Sequence, residues 1–162
     1  IARAKDADLF VSLHADSIGK SAIRGASIYT LSEKASDAQT ARLADKENRA
    51  DLIAGVDLSV EDETVANILV DLSMRDTMNQ SKFLANTVVD TMKGKGLSVL
   101  DNPHRYAGFA VLKAPDVPSI LIELGFLSNR TEAKMLANAA YQKKVAVALR
   151  TGIEAYFQKR SG

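Results

Sequence analysis

A short apolar run that ends in polar side chains constrains the fold of this sequence more than any other feature. Residues 7–16 read Ala-Asp-Leu-Phe-Val-Ser-Leu-His-Ala-Asp, and the apolar side chains from Leu9 to Leu13 predict a buried strand. Because side chains alternate across a strand, Ser12, His14 and Asp16 share one face. Parallel α/β sheets bind ligands outside the carboxyl ends of their strands, where His14 would lie. His14 is therefore a candidate metal ligand or catalytic group, with a hydrogen-bonded core histidine as the alternative.

A second apolar stretch, at residues 118–129, is interrupted by an acidic residue. It reads Pro-Ser-Ile-Leu-Ile-Glu-Leu-Gly-Phe-Leu-Ser-Asn, which predicts another buried strand with Glu123 at its end. A buried carboxylate is costly unless it is paired, hydrogen-bonded or bound to a metal ion. A histidine and a glutamate at two strand ends are what zinc-assisted hydrolysis requires, as a metal ligand and as a general base for water. The alternative for Glu123 is a salt bridge to a lysine or an arginine.

The Ser-Leu-His-Ala-Asp segment at 12–16, followed by the stretch at 118–129, resembles the zinc-dependent N-acetylmuramoyl-L-alanine amidases, the amidase-3 family of cell-wall hydrolases. The similarity runs from Ile1 to about Phe157. It implies that His14 binds Zn²⁺ and that Glu123 is the catalytic acid and base. It also implies that the substrate is peptidoglycan, cleaved at the amide between N-acetylmuramic acid and L-alanine of the stem peptide.

The sequence departs from the family pattern in one respect. Members also have an Asp-Pro-Gly-His-Gly-Gly motif with a zinc-binding histidine, and a further glutamate ligand downstream. This sequence has no such motif, and its two histidines are His14 and His104. We therefore expect that the amino-terminal part of the domain is missing from the sequence and that its metal site is incomplete. His104 lies beside Pro103 in a predicted turn, where we expect it to face solvent.

A helix is predicted from about residue 37 to about residue 54, started by a capping box of Ser36 and Gln39. Glu47 lies on the same helical row as apolar residues, so it either interrupts an inward face or is a solvated glutamate. The segment Leu43-Ala-Asp-Lys-Glu-Asn-Arg-Ala-Asp, followed by Gly55-Val-Asp-Leu, is similar to an insertion in the amidases that separate daughter cells of Gram-negative bacteria. That resemblance implies that residues 36–80 form a regulatory helical insertion and that Glu47 occupies a zinc coordination position. It further implies a LytM-like activator protein and a periplasmic location.

The remaining pattern alternates strands with helices, which predicts one α/β domain over residues 1–162 with a twisted, mostly parallel mixed sheet flanked by helices. The further predicted elements are a strand at 25–31, a linker at 55–61, a long helix from about Ser59 to about Lys93, a strand at 97–100, a turn at 101–105, a brief strand at 110–113, a helix capped by Asn129 and a last helix from about Tyr141 to Phe157.

Net charge and composition limit the kinds of partner that we expect this sequence to bind. A formal net charge of +1 gives no reason to expect nucleic acid, and no apolar run approaches the ~20 residues of a membrane-spanning helix. There is no cysteine, so disulfides and thiolate zinc sites are excluded. Two other functional classes stay open at this stage: a zinc exopeptidase of similar architecture, and a catalytically inactive module that binds peptidoglycan.

Overall fold

The structure, a computed structural model, describes residues 5–53 and 67–160. In chain order its elements are β1 (Phe10–His14), β2 (Ala26–Leu31), α1 (Ala38–Ile53), α2 (Asn67–Gly94), β3 (Val99–Ala107), β4 (Ser119–Glu123), α3 (Arg130–Leu136) and α4 (Ala139–Arg160). The predicted linker at 55–61 and the first part of the predicted long helix lie outside the described residues. Within the two described ranges, every helix is too short or too polar to cross a membrane.

The strands of the described residues form one mixed sheet in the order β1-β4-β2-β3. β1 is parallel to β4 and β2 is parallel to β3, whereas β2 and β4 run antiparallel. This sheet with its flanking helices confirms the predicted α/β class. Because β1 and β4 are parallel, their carboxyl ends lie at the same edge of the sheet, and His14 pairs with Glu123.

β4 is buried on both faces and separates two hydrophobic clusters. Ile120 and Ile122 point into the larger cluster, which α2 and α4 cover, while Leu121 points into the smaller one. All three side chains are fully buried. The smaller cluster contains Leu43 and Ala44 of α1, so α1 packs on the opposite side of β4 from α2 and α4. This alternation on a fully buried strand positions Glu123 at the end of β4.

α2 and α4 approach each other closely at Gly152. A Cβ atom at this position would lie 2.7 Å from Thr91 Oγ1 and 3.0 Å from Val88 Cα. The inward face of α4 contains Val145, Leu149 and Tyr156, which are buried. Close packing of these two helices forms most of the support beneath the sheet.

Two local predictions are wrong. The predicted turn at 101–105 lies within β3, which is an edge strand of the described sheet and tolerates Pro103 because it has a free side. The register between β2 and β3 is also irregular there, which accommodates additional residues. The predicted brief strand at 110–113 is instead a turn of 3₁₀-helix, Ala110–Leu112, because a short apolar run does not by itself define its period.

The helix caps are partly as predicted. Asp37, and not Ser36, caps α1: its Oδ1 accepts hydrogen bonds from the backbone N–H groups of Gln39 and Thr40, at 3.0 and 2.8 Å. The Ser36 hydroxyl donates to the Asp37 carboxylate instead, at 3.0 Å. The predicted cap at Asn129 is confirmed, since its side chain accepts two backbone N–H groups of α3.

Candidate metal centre

The centre of the site is the buried carboxyl group of Glu123. Its exposed fraction is 0%, and its backbone pairs with His14 on one side and Ser27 on the other. Glu123 Oε2 accepts a hydrogen bond from the backbone N–H of Asp16 at 3.1 Å. Oε1 is buried and has no hydrogen-bond partner among the described residues. A buried carboxylate oxygen without a partner is costly, which indicates a site for a proton, water or cation beside it.

The helix α1 brings a second glutamate to this strand end. Glu47 is 7% exposed, and its Oε2 lies 3.1 Å from His14 Nδ1. Glu47 is therefore on the inward face of α1 and is not a solvated residue. Asn48 fixes the neighbouring turn, because its amide donates to the Gly108 carbonyl at 2.9 Å and its Oδ1 accepts the Ala110 N–H at 2.8 Å.

Asp16 completes a cluster of three metal-ligating side chains. One ligand atom from each of His14, Asp16 and Glu47 lies within 4.8 Å of the other two. Lys46 Nζ lies 2.9 Å from Asp16 Oδ2 and partly offsets the excess of negative charge. The sequence placed Asp16 on the same strand face as His14 but assigned it no role. An acidic residue just after a strand is common, so the position of Asp16 two residues after His14 is the one sequence feature that points to a metal-binding role.

The carboxyl groups of the site are held close together in a poorly solvated place. Burial raises the pKa of Glu123 to about 8, and the negative charge of Asp16 adds to this effect. Burial, with a hydrogen bond to Asp16 and the charge of that residue, raises the pKa of Glu47 to about 7. Burial lowers the pKa of His14, which favours the neutral imidazole that binds metal ions. A cation in the cluster would stabilise the ionised carboxylates.

The residues present fit a zinc ion. Zinc accepts imidazole nitrogen and carboxylate oxygen at about 2.0–2.2 Å, so its tetrahedral ligands lie roughly 3–4 Å from one another. The separation of 3.1 Å between His14 Nδ1 and Glu47 Oε2 falls in that range. The unpartnered Glu123 Oε1, close to this cluster, offers a further acceptor for a ligand or a water molecule.

A buried carboxylate behind the site joins two loops. Glu132 Oε1 accepts the Gly25 N–H at 2.6 Å, and Oε2 accepts the Phe126 N–H at 2.7 Å. These bonds connect the segment that enters β2 with the segment that follows Glu123. Gly25 and Glu132 are far apart in the sequence, so no local pattern predicts this contact.

His104 lies outside the cluster and does not face solvent as expected. It is half-buried between β2 and α2, with Nε2 at 3.0 Å from Thr30 Oγ1 and Nδ1 at 3.1 Å from Asn86 Oδ1. Both ring nitrogens therefore contact polar side chains of the fold.

Sequence comparisons identify a family for the chain. The profile of the Amidase_3 family, N-acetylmuramoyl-L-alanine amidase, matches residues 1–155. The chain is 37% identical over 158 residues to N-acetylmuramoyl-L-alanine amidase AmiA of Escherichia coli K12, covering 97% of the chain and 54% of AmiA. It is 39% identical over 160 residues to AmiC of Escherichia coli O6:H1, covering 96% of the chain and 37% of AmiC. The chain thus spans about half the length of AmiA and less of AmiC.

Solved structures agree at the level of the fold. The N-acetylmuramyl-L-alanine amidase Ami1 from Mycobacterium smegmatis matches with a TM-score of 0.64 at 16% identity, over 98% of the chain and 57% of Ami1. The CwlD amidase from Clostridioides difficile, solved in complex with the GerS lipoprotein, matches with a TM-score of 0.62 at 23% identity, over 94% of the chain and 56% of CwlD. Since the family profile also extends over nearly the whole sequence, the chain belongs to the Amidase_3 family of N-acetylmuramoyl-L-alanine amidases.

Proposed function

We propose that the chain is part of a zinc-dependent amidase that cleaves the bond between N-acetylmuramic acid and L-alanine in peptidoglycan. The observation that supports this most strongly is a buried glutamate, Glu123, at the same sheet edge as the cluster of His14, Asp16 and Glu47. A general base beside a metal cluster is the arrangement that metal-assisted amide hydrolysis requires. Membership of the family supports the choice of bond and substrate.

His14 and Glu47 are the residues that would hold Zn²⁺ in the resting state, with Asp16 within reach of the same position. When bound, zinc would polarise the scissile carbonyl and lower the pKa of water. Glu47 and His14 are on different elements, so the ligand set depends on the docking of α1 against the sheet. The family resemblance implies a further histidine and glutamate ligand in the active enzyme.

Glu123 moves the proton. Its Oε2 is fixed by the Asp16 N–H, which leaves Oε1 to take a proton from the attacking water. The same carboxyl group then gives a proton to the leaving amine nitrogen, so it acts first as a base and then as an acid. Burial raises its pKa to about 8, which makes the protonated form a capable acid. A neighbouring cation favours the ionised form that the first step needs.

The resting enzyme is inhibited by its own helix in this proposal. A catalytic zinc needs an open position for water, and Glu47, whose Oε2 lies 3.1 Å from His14 Nδ1, would fill that position. A carboxylate in the same chain has a high effective concentration, so a modest contact is enough to keep the site closed. The buried side chains of α1 are Thr40, Leu43, Ala44 and Glu47, of which only Leu43 is large and apolar, so docking of the helix buries little apolar area and can reverse. A LytM-like activator in the periplasm would displace α1 and open the site.

The direct test measures zinc content and the release of dye from labelled cell-wall sacculi by the full-length protein. Zinc-dependent release, with new amino-terminal L-alanine on the freed peptides, is the expected result. Cleavage of free peptides but not of sacculi would instead indicate an exopeptidase. Binding to sacculi with no zinc and no cleavage would indicate an inactive peptidoglycan-binding module.

A further inference from the structure

The two ring nitrogens of His14 have different partners. Nδ1 faces Glu47, at 3.1 Å from its Oε2, and so points into the metal cluster. Nε2 lies 2.7 Å from the hydroxyl oxygen of Ser12. Ser12 is on the same strand and on the same face as His14, because side chains two positions apart in β1 point the same way.

A neutral imidazole carries a hydrogen on one ring nitrogen and a lone pair on the other. The hydrogen bond made by one nitrogen therefore determines whether the other nitrogen presents a hydrogen or a lone pair. If Nε2 donates its hydrogen to Ser12 Oγ, the lone pair of Nδ1 is directed at Asp16 and Glu47. If Ser12 donates to Nε2 instead, Nδ1 carries the hydrogen and cannot bind a metal ion. A hydroxyl group can take either role, whereas a carbonyl or a carboxylate can only accept.

We infer that Ser12 is a positioning residue, whose hydrogen bond to Nε2 holds the His14 ring so that Nδ1 is the nitrogen presented to the metal. This inference depends on the proposed function, because it assumes that His14 binds zinc. The hydroxyl acts as acceptor when metal is bound and as donor when Nδ1–H donates to Glu47.

The backbone of β1 makes this contact a rigid one. Ser12 pairs with Leu121 and His14 pairs with Glu123 in the parallel ladder between β1 and β4. Leu121 is fully buried, so the strand carrying Ser12 is fixed against the core. Serine has a single side-chain torsion to its hydroxyl, so little conformational entropy opposes the bond. Partners of this kind typically change metal affinity by about 10- to 100-fold when removed.

The first test needs no substitution. A crystal structure of the full-length wild-type protein grown with zinc, with the ion located by anomalous scattering, identifies the coordinating atom directly. We expect Nδ1 of His14 as the ligand and Ser12 Oγ within hydrogen-bond distance of Nε2. Coordination through Nε2 overturns the inference but leaves the proposed function standing. A wild-type protein that binds no zinc overturns both.

The second test measures zinc affinity by competition with a chelator, independently of activity. Ser12→Ala should weaken zinc binding about 10- to 100-fold, and Ser12→Thr, which keeps the hydroxyl, should restore it to within about threefold of wild type. Ser119→Ala is the matched control, because Ser119 is also a strand serine, its hydroxyl donates a hydrogen bond to the Val117 carbonyl, and it lies at the opposite end of β4 from Glu123. Wild-type affinity in Ser12→Ala, or equal weakening in Ser119→Ala, would contradict a positioning role.

Discussion

Glu47 Oε2 lies 3.1 Å from His14 Nδ1, which connects the inward face of α1 to the end of β1. A carboxylate and an imidazole at this separation form a hydrogen bond when they have a proton between them, or share a metal ion when one is bound. In the proposed function this contact couples the position of α1 to the occupancy of the metal cluster.

Replacing His14 should remove most of the zinc. We expect His14→Ala in the full-length protein to lower zinc occupancy sharply while the fold survives. The imidazole belongs to the cluster of metal-ligating side chains, and it is not part of either hydrophobic cluster. Metal analysis and circular dichroism measure the two effects. His104→Ala is the control histidine, and it should retain zinc. Unchanged stoichiometry and affinity in His14→Ala would reassign the residue to structure.

Replacing Glu123 should stop turnover without releasing the metal. Glu123→Gln keeps the shape of the side chain but removes the proton acceptor, so we expect activity on sacculi to fall by about two to four orders of magnitude. Zinc content should stay near the wild-type value. Glu154→Gln, which alters an exposed glutamate on α4, should leave activity unchanged. Near-normal activity of Glu123→Gln would exclude it as the general base.

Replacing Glu47 should activate the resting enzyme. Glu47→Ala removes the carboxylate that contacts His14, so basal release of dye from sacculi should rise in the absence of an activator. The LytM-like partner should then stimulate this variant much less than it stimulates wild type. Asp45→Ala changes an exposed carboxylate on the same helix and should behave like wild type. If Glu47→Ala has the same low basal activity as wild type and needs the partner to the same degree, the hypothesis that this residue inhibits the enzyme is wrong.

Gly152→Ala should destabilise the fold. Its Cβ would approach Thr91 Oγ1 to 2.7 Å and the Val88 backbone to 3.0 Å, so α4 must shift away from α2. We expect a loss of about 1–3 kcal/mol in the free energy of unfolding, measured by chemical denaturation. Gly94→Ala, at a helical glycine with no atom within 4 Å of the added Cβ, is the control and should change stability little. Equal effects of the two substitutions would show that the helix contact is not tight.

Stability should depend on the protonation of His104. Burial lowers the pKa of His104 below its ordinary value of 6.5, so the unfolded chain binds a proton more readily than the folded one. The contribution of neutral His104 to the free energy of unfolding is therefore complete above pH 6.5, and it is lost as the pH falls through the lower pKa of His104 in the folded protein. The difference in unfolding free energy between wild type and His104→Gln, measured from pH 8 to pH 5, should shrink on acidification. A difference that is independent of pH would contradict this assignment.

Local patterns in the sequence were sufficient to predict the strands that carry His14 and Glu123, because each strand is an apolar run that ends in polar side chains. The position of Glu47 was open, since helical spacing alone does not distinguish an inward glutamate from a solvated one, and only the docking of α1 decides it. The predictions of a turn at 101–105 and of a solvent-facing His104 were wrong for a related reason. Pro103 is a turn signal locally, but an edge strand accepts it, and the contacts of His104 with Thr30 and Asn86 join three distant parts of the chain.

The two hydrogen bonds of the buried Glu132 carboxylate determine where the site can move. To separate the Gly25 and Phe126 segments, the protein must break both hydrogen bonds of a buried carboxylate, and leaving such a group unpaired inside the protein is costly. α1 is held by contacts nearer the surface, namely the hydrogen bonds of Asn48 with Gly108 and Ala110 and the ion pair of Lys46 with Asp16. A ligand or partner that enters the site would therefore exchange places with α1 and leave the sheet undeformed.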